Sequence, residues 1–436
     1  MSRTSLLRLA TAGSVDDGKS TLVGRLLHDT KTVLADQLAS VERVSRDRGL
    51  DEVDLSLLTD GLRAEREQGI TIDVAYRYFA TARRSFVLAD TPGHVQYTRN
   101  TVTGMSTAEA AVVLVDAARG VSEQTRRHVT VAALLRVPHV VLAVNKMDAT
   151  GYDEQRFRIL AKEVADYAEE LGIDDLLAIP VSAQRGDNVV DRSAAMPWWD
   201  GPTLLEHLEE LPVHRDPRGE PLRFPVQHVL RADGVRWYAG QLASGVVAVG
   251  DEVVVLPSGL RTTVTEVSVL GATAAEAFSP QSVSLRVADH VDLARGDLVA
   301  RPGEEPPVTQ DLAATLCWLA EAPLAAGARV LVKHGTRTVR AIVRDLHDAL
   351  DVDSLERRPA VRLGLNDIGR VTLRTAEALP VDDYAQLRVT GSFLVLDEQD
   401  GTTLAAGLVG DPLPSRSRCR ESDLDRDSRP ETLRET

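Results

Sequence analysis

The chain has 436 residues, 43% of them hydrophobic and 26% charged, and a formal net charge of −15 at pH 7. That length is enough for about two to four domains, each with its own core. The acidic balance speaks against a broad basic surface, so a nucleic-acid partner is not expected. Two distant cysteines, Cys317 and Cys419, leave no disulfide or zinc framework. Neither a signal peptide nor a membrane-spanning run appears, which predicts a cytosolic protein with no membrane partner.

The first element is L-L-R-L-A-T-A, a short buried strand. It runs into G-S-V-D-D-G-K-S at residues 13–20, and T-L-V-G-R-L-L-H then begins a helix. Gly13, Gly18, Lys19 and Ser20 fall where a phosphate-binding loop requires them. Glycines let the backbone curl so that the N–H groups of Ser14, Val15, Asp16 and Asp17 line an anion site, and the helix start adds its positive end for Ser20 and Thr21. Lys19 reaches the β- and γ-phosphates, and the Ser20 hydroxyl is a Mg²⁺ ligand. The chain holds 50 Lys and Arg residues but only five lysines, and two of those, Lys19 and Lys146, stand in nucleotide motifs.

A highly charged stretch (about 42–68) precedes G-I-T at 69–71. It has the character of a switch segment, with Thr71 joining Ser20 on Mg²⁺. Residues 76–80 and 85–90 form a hairpin pattern at a sheet edge. D-T-P-G-H follows at 90–94: Asp90 is placed to hold the Mg²⁺ water shell, the Gly93 N–H to bond a γ-phosphate oxygen, and His94 to orient the attacking water. Residues 110–116 and 139–145 are apolar runs typical of parallel strands buried on both faces. Helices are expected at 121–136 and about 153–171, and a last strand at 176–182. N-K-M-D at 145–148 ends a buried strand. The Asp148 carboxylate can accept from the ring N–H and the exocyclic amine of guanine, a donor pair that adenine lacks. Asn145, three residues before Asp148, can read a base edge from the same loop as Lys146, and Ser182 and Ala183 of S-A-Q fit a base pocket. Together these motifs predict a GTP-binding α/β domain with a doubly wound, mostly parallel sheet over residues 1–212.

Past the Pro- and charge-rich segment 211–221 the pattern becomes β. In S-V-S-L-R-V the apolar residues Val283, Leu285 and Val287 alternate with polar ones. Two β-barrel domains are expected, 213–304 and 305–410, followed by a disordered polar tail at 411–436.

These motifs, in this order and followed by two barrels, resemble the translation-elongation-factor class of GTPases. The resemblance spans about residues 5–410, and it places Val15 and Ile70 as the apolar pair gating the access of His94 to water. Within that class the chain most resembles the large, GTP-hydrolysing subunit of bacterial ATP sulfurylase (sulfate adenylyltransferase subunit 1). The stretches that carry this are G-S-V-D-D-G-K-S-T-L-V-G-R-L-L-H-D, G-I-T-I-D-V-A-Y-R-Y-F, H-V-Q-Y-T-R-N-T-V-T-G, R-G-D-N-V-V-D-R-S-A-A-M-P-W-W-D-G-P, V-K-H-G-T-R-T-V-R-A-I-V and L-N-D-I-G-R-V. Asp17 stands where elongation factors for tRNA usually carry histidine. The resemblance implies GTP and Mg²⁺ as cofactors. It also implies a separate small catalytic subunit that binds ATP and sulfate and forms adenosine 5′-phosphosulfate and pyrophosphate, driven by GTP hydrolysis here. Some family members carry a fused adenylylsulfate kinase. No second phosphate loop occurs in this sequence, so kinase activity is not expected of it. Two other readings fit the same motifs: a translation factor delivering aminoacyl-tRNA, and a regulatory GTPase that only gates a protein partner.

Overall fold

The structure, a computed structural model, describes residues 5–33, 35–47, 53–58, 73–94, 97–212, 216–232, 235–289 and 291–414. Strands and helices alternate in its first part: β1 (Ser5–Gly13), α1 (Lys19–Asp29), α2 (Ala35–Asp47), β2 (Ala75–Ala80) and β3 (Arg84–Asp90). They continue through α3 (Thr98–Ser106), β4 (Ala110–Asp116), α4 (Glu123–Leu134), β5 (His139–Asn145), α5 (Glu154–Glu170), β6 (Leu176–Pro180) and α6 (Leu204–Glu210). The six strands form one sheet in the order β2-β3-β1-β4-β5-β6. Every pairing is parallel except that of the edge strand β2 with β3.

Burial explains that topology. All of β4 is buried, and so is β5 beyond its first residue. An all-apolar strand needs cover on both faces, and helical crossovers supply it. The hairpin strand β2 alternates exposed and covered residues, as suits an edge. Local signals start and stop the helices. Ser122 and Thr125 form a reciprocal capping box at the start of α4, Thr203 and Glu206 do so for α6, and Asp153 caps α5. Because β1 sits between β3 and β4, the chain diverges to either side of it. The loops after β1, β3, β4 and β5 therefore share one edge, the place where such sheets bind ligands.

Contacts divide the chain into two compact units between residues 213 and 214, and the chain returns to the first at Leu413. The second unit holds two β-systems. In the first, the segment from Arg223 to Ala232 pairs at its start with Leu298–Ala300 and at its end with Val235–Gln241. One continuous segment thereby closes the sheet around Phe224, Val253, Val264, Val283 and Leu285. In the second, Arg329–His334 pairs with both Arg337–Leu350 and Ser392–Leu396. That closes a barrel over Leu316, Val332, Val343, Leu373 and Phe393. Closure removes exposed strand edges, which open antiparallel sheets otherwise have to shield.

The expected tail does not begin at 411. Asp411 accepts from Arg357 Nη2 at 2.7 Å, and Leu413 is buried. A polar composition hid an anchor, since Arg357 and Arg370 offer Asp411 a partnered site. Residues 415–436, and with them most of the tail expectation, lie outside the described residues.

Within the second unit, Arg223 donates through Nε and Nη2 to the two carboxylate oxygens of Asp382, each at 2.9 Å. The side chains are 4% and 6% exposed, and the Thr390 hydroxyl also donates to Asp382. Breaking such a pair leaves a buried, uncompensated charge. Arg223→Ala is expected to destabilise this unit by roughly 3–5 kcal/mol, read as a lower urea midpoint of its unfolding transition. Arg223→Ala combined with Asp382→Ala is expected to recover part of that loss.

Candidate functional site

The phosphate loop is built around a buried lysine. Lys19 begins α1, and its Nζ donates to the carbonyls of Gly13 at 2.7 Å and Ser14 at 2.9 Å. Burial pushes the ammonium below its ordinary range, while the carboxylates of Asp90, Asp17 and Asp16 oppose that shift. Two of its three protons hold the loop in a curl, and the third is available for a phosphate oxygen. The turn into α1 passes through Gly18 at φ 91°, in the left-handed region. A Cβ there would stand 2.4 Å from Asn145 Nδ2, so glycine serves both conformation and space.

Asp17 turns inward. It is 4% exposed, and its Oδ2 accepts the Ser14 N–H at 2.6 Å. Burial raises its pKa; the Ser14 N–H and Lys19 pull it back, and Asp116 raises it further. The residue that sets this loop apart in sequence is therefore a brace under the backbone.

The end of β3 meets the same loop. The Thr11 hydroxyl donates to Asp90 Oδ1 at 3.0 Å, and the Thr91 hydroxyl donates to the Thr11 carbonyl at 2.6 Å. A Cβ on Gly93 would lie 2.3 Å from Lys19 Nζ and 2.5 Å from the Gly13 carbonyl. Only glycine allows so close an approach. His94 is exposed, with its ring edge-on to Tyr97 at 6.1 Å. Thr71 and Ile70 lie outside the described residues.

On the opposite side, Asn145 ties two loops together. Its Nδ2 donates to the Asp17 carbonyl at 2.7 Å, and its Oδ1 accepts the Ala183 N–H at 2.9 Å. The amide thus joins residue 17 of the phosphate-loop motif to the Ser182–Ala183 segment beside Asp148. Asp148 Oδ1 accepts from the Ser182 hydroxyl at 2.6 Å. The Arg25 guanidinium holds the same loop through the Ala183 and Gln184 carbonyls. Lys146 lies alongside Gly18 and pairs with Asp116 at 2.9 Å. Burial works against the ionised Asp116, but Lys146 and the N–H groups of Ala118 and Arg119 outweigh it and hold the carboxyl below its ordinary range.

Several of these supports went unread in the sequence. His128 on α4 is fully buried and hydrogen-bonded to the Gly13 backbone, and desolvation pushes its pKa down to about 3. It is a neutral prop beneath the loop, and its Nε2 stands 3.3 Å from Gln124 Nε2. A histidine inside an apolar helix face was the available signal. Asp116 offered a better one, as a lone carboxylate ending a buried strand.

The convergence of residues 13–20, the strand-end Asp90–Gly93 turn and the N-K-M-D loop at one sheet edge is the arrangement of a GTP-binding domain of elongation-factor type. Comparison agrees: the Elongation factor Tu GTP binding domain family matches residues 4–214, and the GTP-eEF1A C-terminal domain-like family matches residues 311–410. The bifunctional enzyme CysN/CysC of Mycobacterium tuberculosis is 54% identical over 413 residues, covering 93% of this chain and 67% of that protein. Sulfate adenylyltransferase subunit 1 of Citrobacter koseri is 46% identical over 413 residues, covering 94% of this chain and 87% of that protein. A crystal structure of Sup35 complexed with GDP aligns over 94% of both chains at 22% identity and a TM-score of 0.41. The chain belongs to the sulfate adenylyltransferase subunit 1 family. No helix among the described residues is long and apolar enough to cross a membrane.

The buried Asp17 gives a signed pH prediction. A carboxyl whose pKa is raised on folding binds more protons in the native state, so stability falls as pH rises through and above the ordinary carboxylate range. Asp17→Asn keeps an acceptor for the Ser14 N–H and removes the charge. The melting temperature of the nucleotide-free variant is expected to exceed that of the parent at pH 7, with the gap closing as pH falls towards 4. A variant less stable at pH 7 would show that the charged form is the better brace.

Proposed function

We propose that this chain hydrolyses GTP and that the hydrolysis drives sulfate activation on a separate small subunit. There ATP and sulfate become adenosine 5′-phosphosulfate and pyrophosphate. The observation that carries the reading is the meeting of the N-K-M-D loop and the phosphate-loop motif at one sheet edge, in a chain of the sulfate adenylyltransferase subunit 1 family. In this reading Lys19 and the N–H groups of residues 13–18 bind the phosphates, with Ser20 and Thr21 at the helix start. Asp148, with Ser182 and Ala183, selects guanine, and Asn145 and Lys146 fix that pocket. Ser20 and Thr71 would hold Mg²⁺, with Asp90 on its water shell, and the ion when bound would supply charge that offsets what develops on the phosphates. His94 orients the attacking water, gated by Val15 and Ile70.

The barrels, taken as 213–304 and 305–410, give hydrolysis something to act on. If the switch segments contact them differently in the GTP and GDP states, the loss of the γ-phosphate changes the surface offered to the small subunit. The enzyme would work in the cytoplasm. Delivery of aminoacyl-tRNA is the competing reading, and it requires GTP-dependent, salt-sensitive tRNA binding.

The test is co-purification with the small subunit, followed by assay of adenosine 5′-phosphosulfate formation from ATP and sulfate with and without GTP. Stimulation by GTP is expected. No stimulation, together with tight tRNA binding, would overturn the proposal. His94→Ala is expected to keep GTP affinity while slowing hydrolysis by at least ~10²-fold, the typical loss of a positioned acid–base group. Unchanged turnover would assign His94 a structural role. Lys19→Ala is expected to abolish nucleotide binding, measured by calorimetry.

A further inference from the structure

The loop at residues 117–122, between β4 and α4, runs beside the phosphate loop and is fastened to it. Ser122 Oγ and Ser14 Oγ are 2.7 Å apart. Arg119 Nη1 donates to the Val15 carbonyl at 3.3 Å, and Nη2 stands 3.5 Å from Asp16 Oδ2. The backbone of this loop is fixed. Asp116 Oδ1 accepts the N–H groups of Ala118 at 2.8 Å and Arg119 at 3.2 Å, and Arg156 Nε donates to the Ala117 carbonyl at 2.7 Å. The Arg119 side chain itself is 60% exposed. A fixed base therefore carries a cation held by long, exposed contacts.

The phosphate loop has two distinguishable ends. Gly18 packs against Asn145 and Lys146, which marks the base side, while Gly93 packs against Gly13, Ser14 and Lys19, which marks the terminal-phosphate side. Arg119 reaches Val15 and Asp16, in the stretch of the loop between those two ends. We infer that Arg119 supplies positive charge to the transferring phosphoryl group during GTP hydrolysis. This inference rests on the GTPase reading above. In that reaction the oxygen of water bonds to the γ-phosphorus while the bond to the β–γ bridging oxygen breaks. GDP leaves with the electron pair, and inorganic phosphate keeps the water oxygen.

Charge on the phosphoryl oxygens and the bridging oxygen needs cations at that moment. Lys19 already serves two carbonyls, and Lys146 is held by Asp116. Asp16, Asp17, Asp90 and Asp116 crowd the same edge, so a further cation has a large effect there. The hold of Asp16 on Arg119 is an exposed, long contact, a kind that contributes little, so release towards a phosphate costs little. The planar guanidinium can address two oxygens at once, which a lysine cannot.

The test uses the full chain with its small subunit and compares Arg119→Ala and Arg119→Lys with the parent. Three quantities are read: single-turnover GTP hydrolysis, affinity for GDP, and affinity for GDP with aluminium fluoride, which mimics the transferring phosphoryl group. Arg119→Ala is expected to lose roughly 10²-fold or more in hydrolysis rate. It is also expected to lose the gain in affinity that aluminium fluoride gives, while GDP affinity is unchanged. Arg119→Lys is expected to fall between. Hydrolysis at the parent rate, or equal loss of affinity for GDP with and without aluminium fluoride, would overturn the inference and leave Arg119 as a partner of Asp16. A parent protein that hydrolyses no GTP would instead remove the GTPase reading itself.

Discussion

One buried amide sets the geometry on which the site depends. Asn145 is 1% exposed; its nitrogen is bonded to the Asp17 carbonyl in the phosphate loop and its oxygen to the Ala183 N–H in the base pocket. A group of fixed length thus spaces residues 13–18 from the Ser182–Ala183 segment. The spacing is strict because a buried amide that loses a partner loses a hydrogen bond without recovering water. Gly18 has no side chain because Asn145 occupies that volume. The left-handed turn into α1 at Gly18 and the contact of Ser182 with Asp148 lie on either side of this join.

Electrostatics makes the second constraint. Four aspartates, at 16, 17, 90 and 116, surround a site meant for a polyanion, against Lys19 and Lys146 nearby. Three of the four are buried, and each is turned to an internal partner: Asp17 to the Ser14 N–H, Asp90 to the Thr11 hydroxyl, Asp116 to Lys146. These contacts shape the loops and limit repulsion towards phosphate without removing it. The acidic balance of the whole chain is compatible with an anion site for this reason: local N–H groups and placed cations decide binding, and net charge does not.

The fold was largely legible because it rests on local and periodic signals. The apolar runs of β4 and β5 announced strands covered on both faces, and Val283 and Leu285 announced a barrel wall. The phosphate loop was legible because its glycines are required at fixed spacing. Residues whose work is done across long sequence distances were not. Asn145 read as a base-contacting residue, and only the fold shows that its amide also joins residues 17 and 183. His128 and Asp116 carry no motif of their own. Their importance comes from helix α4 and strand β4 lying beside β1. Asp411 read as the start of a polar tail because its arginine partners lie 54 and 41 residues earlier.

The central claim is that guanine nucleotide bound on this chain governs sulfate activation on another. The most direct measurement changes the base preference here and looks for the change there. In the Asp148→Asn enzyme assembled with its small subunit, adenosine 5′-phosphosulfate formation is measured with GTP and with xanthosine triphosphate. An amide in place of the carboxylate offers a donor to the second ring oxygen of xanthine, so stimulation is expected to pass from GTP to xanthosine triphosphate. Retained stimulation by GTP, or activation of sulfate indifferent to both nucleotides, would contradict the account.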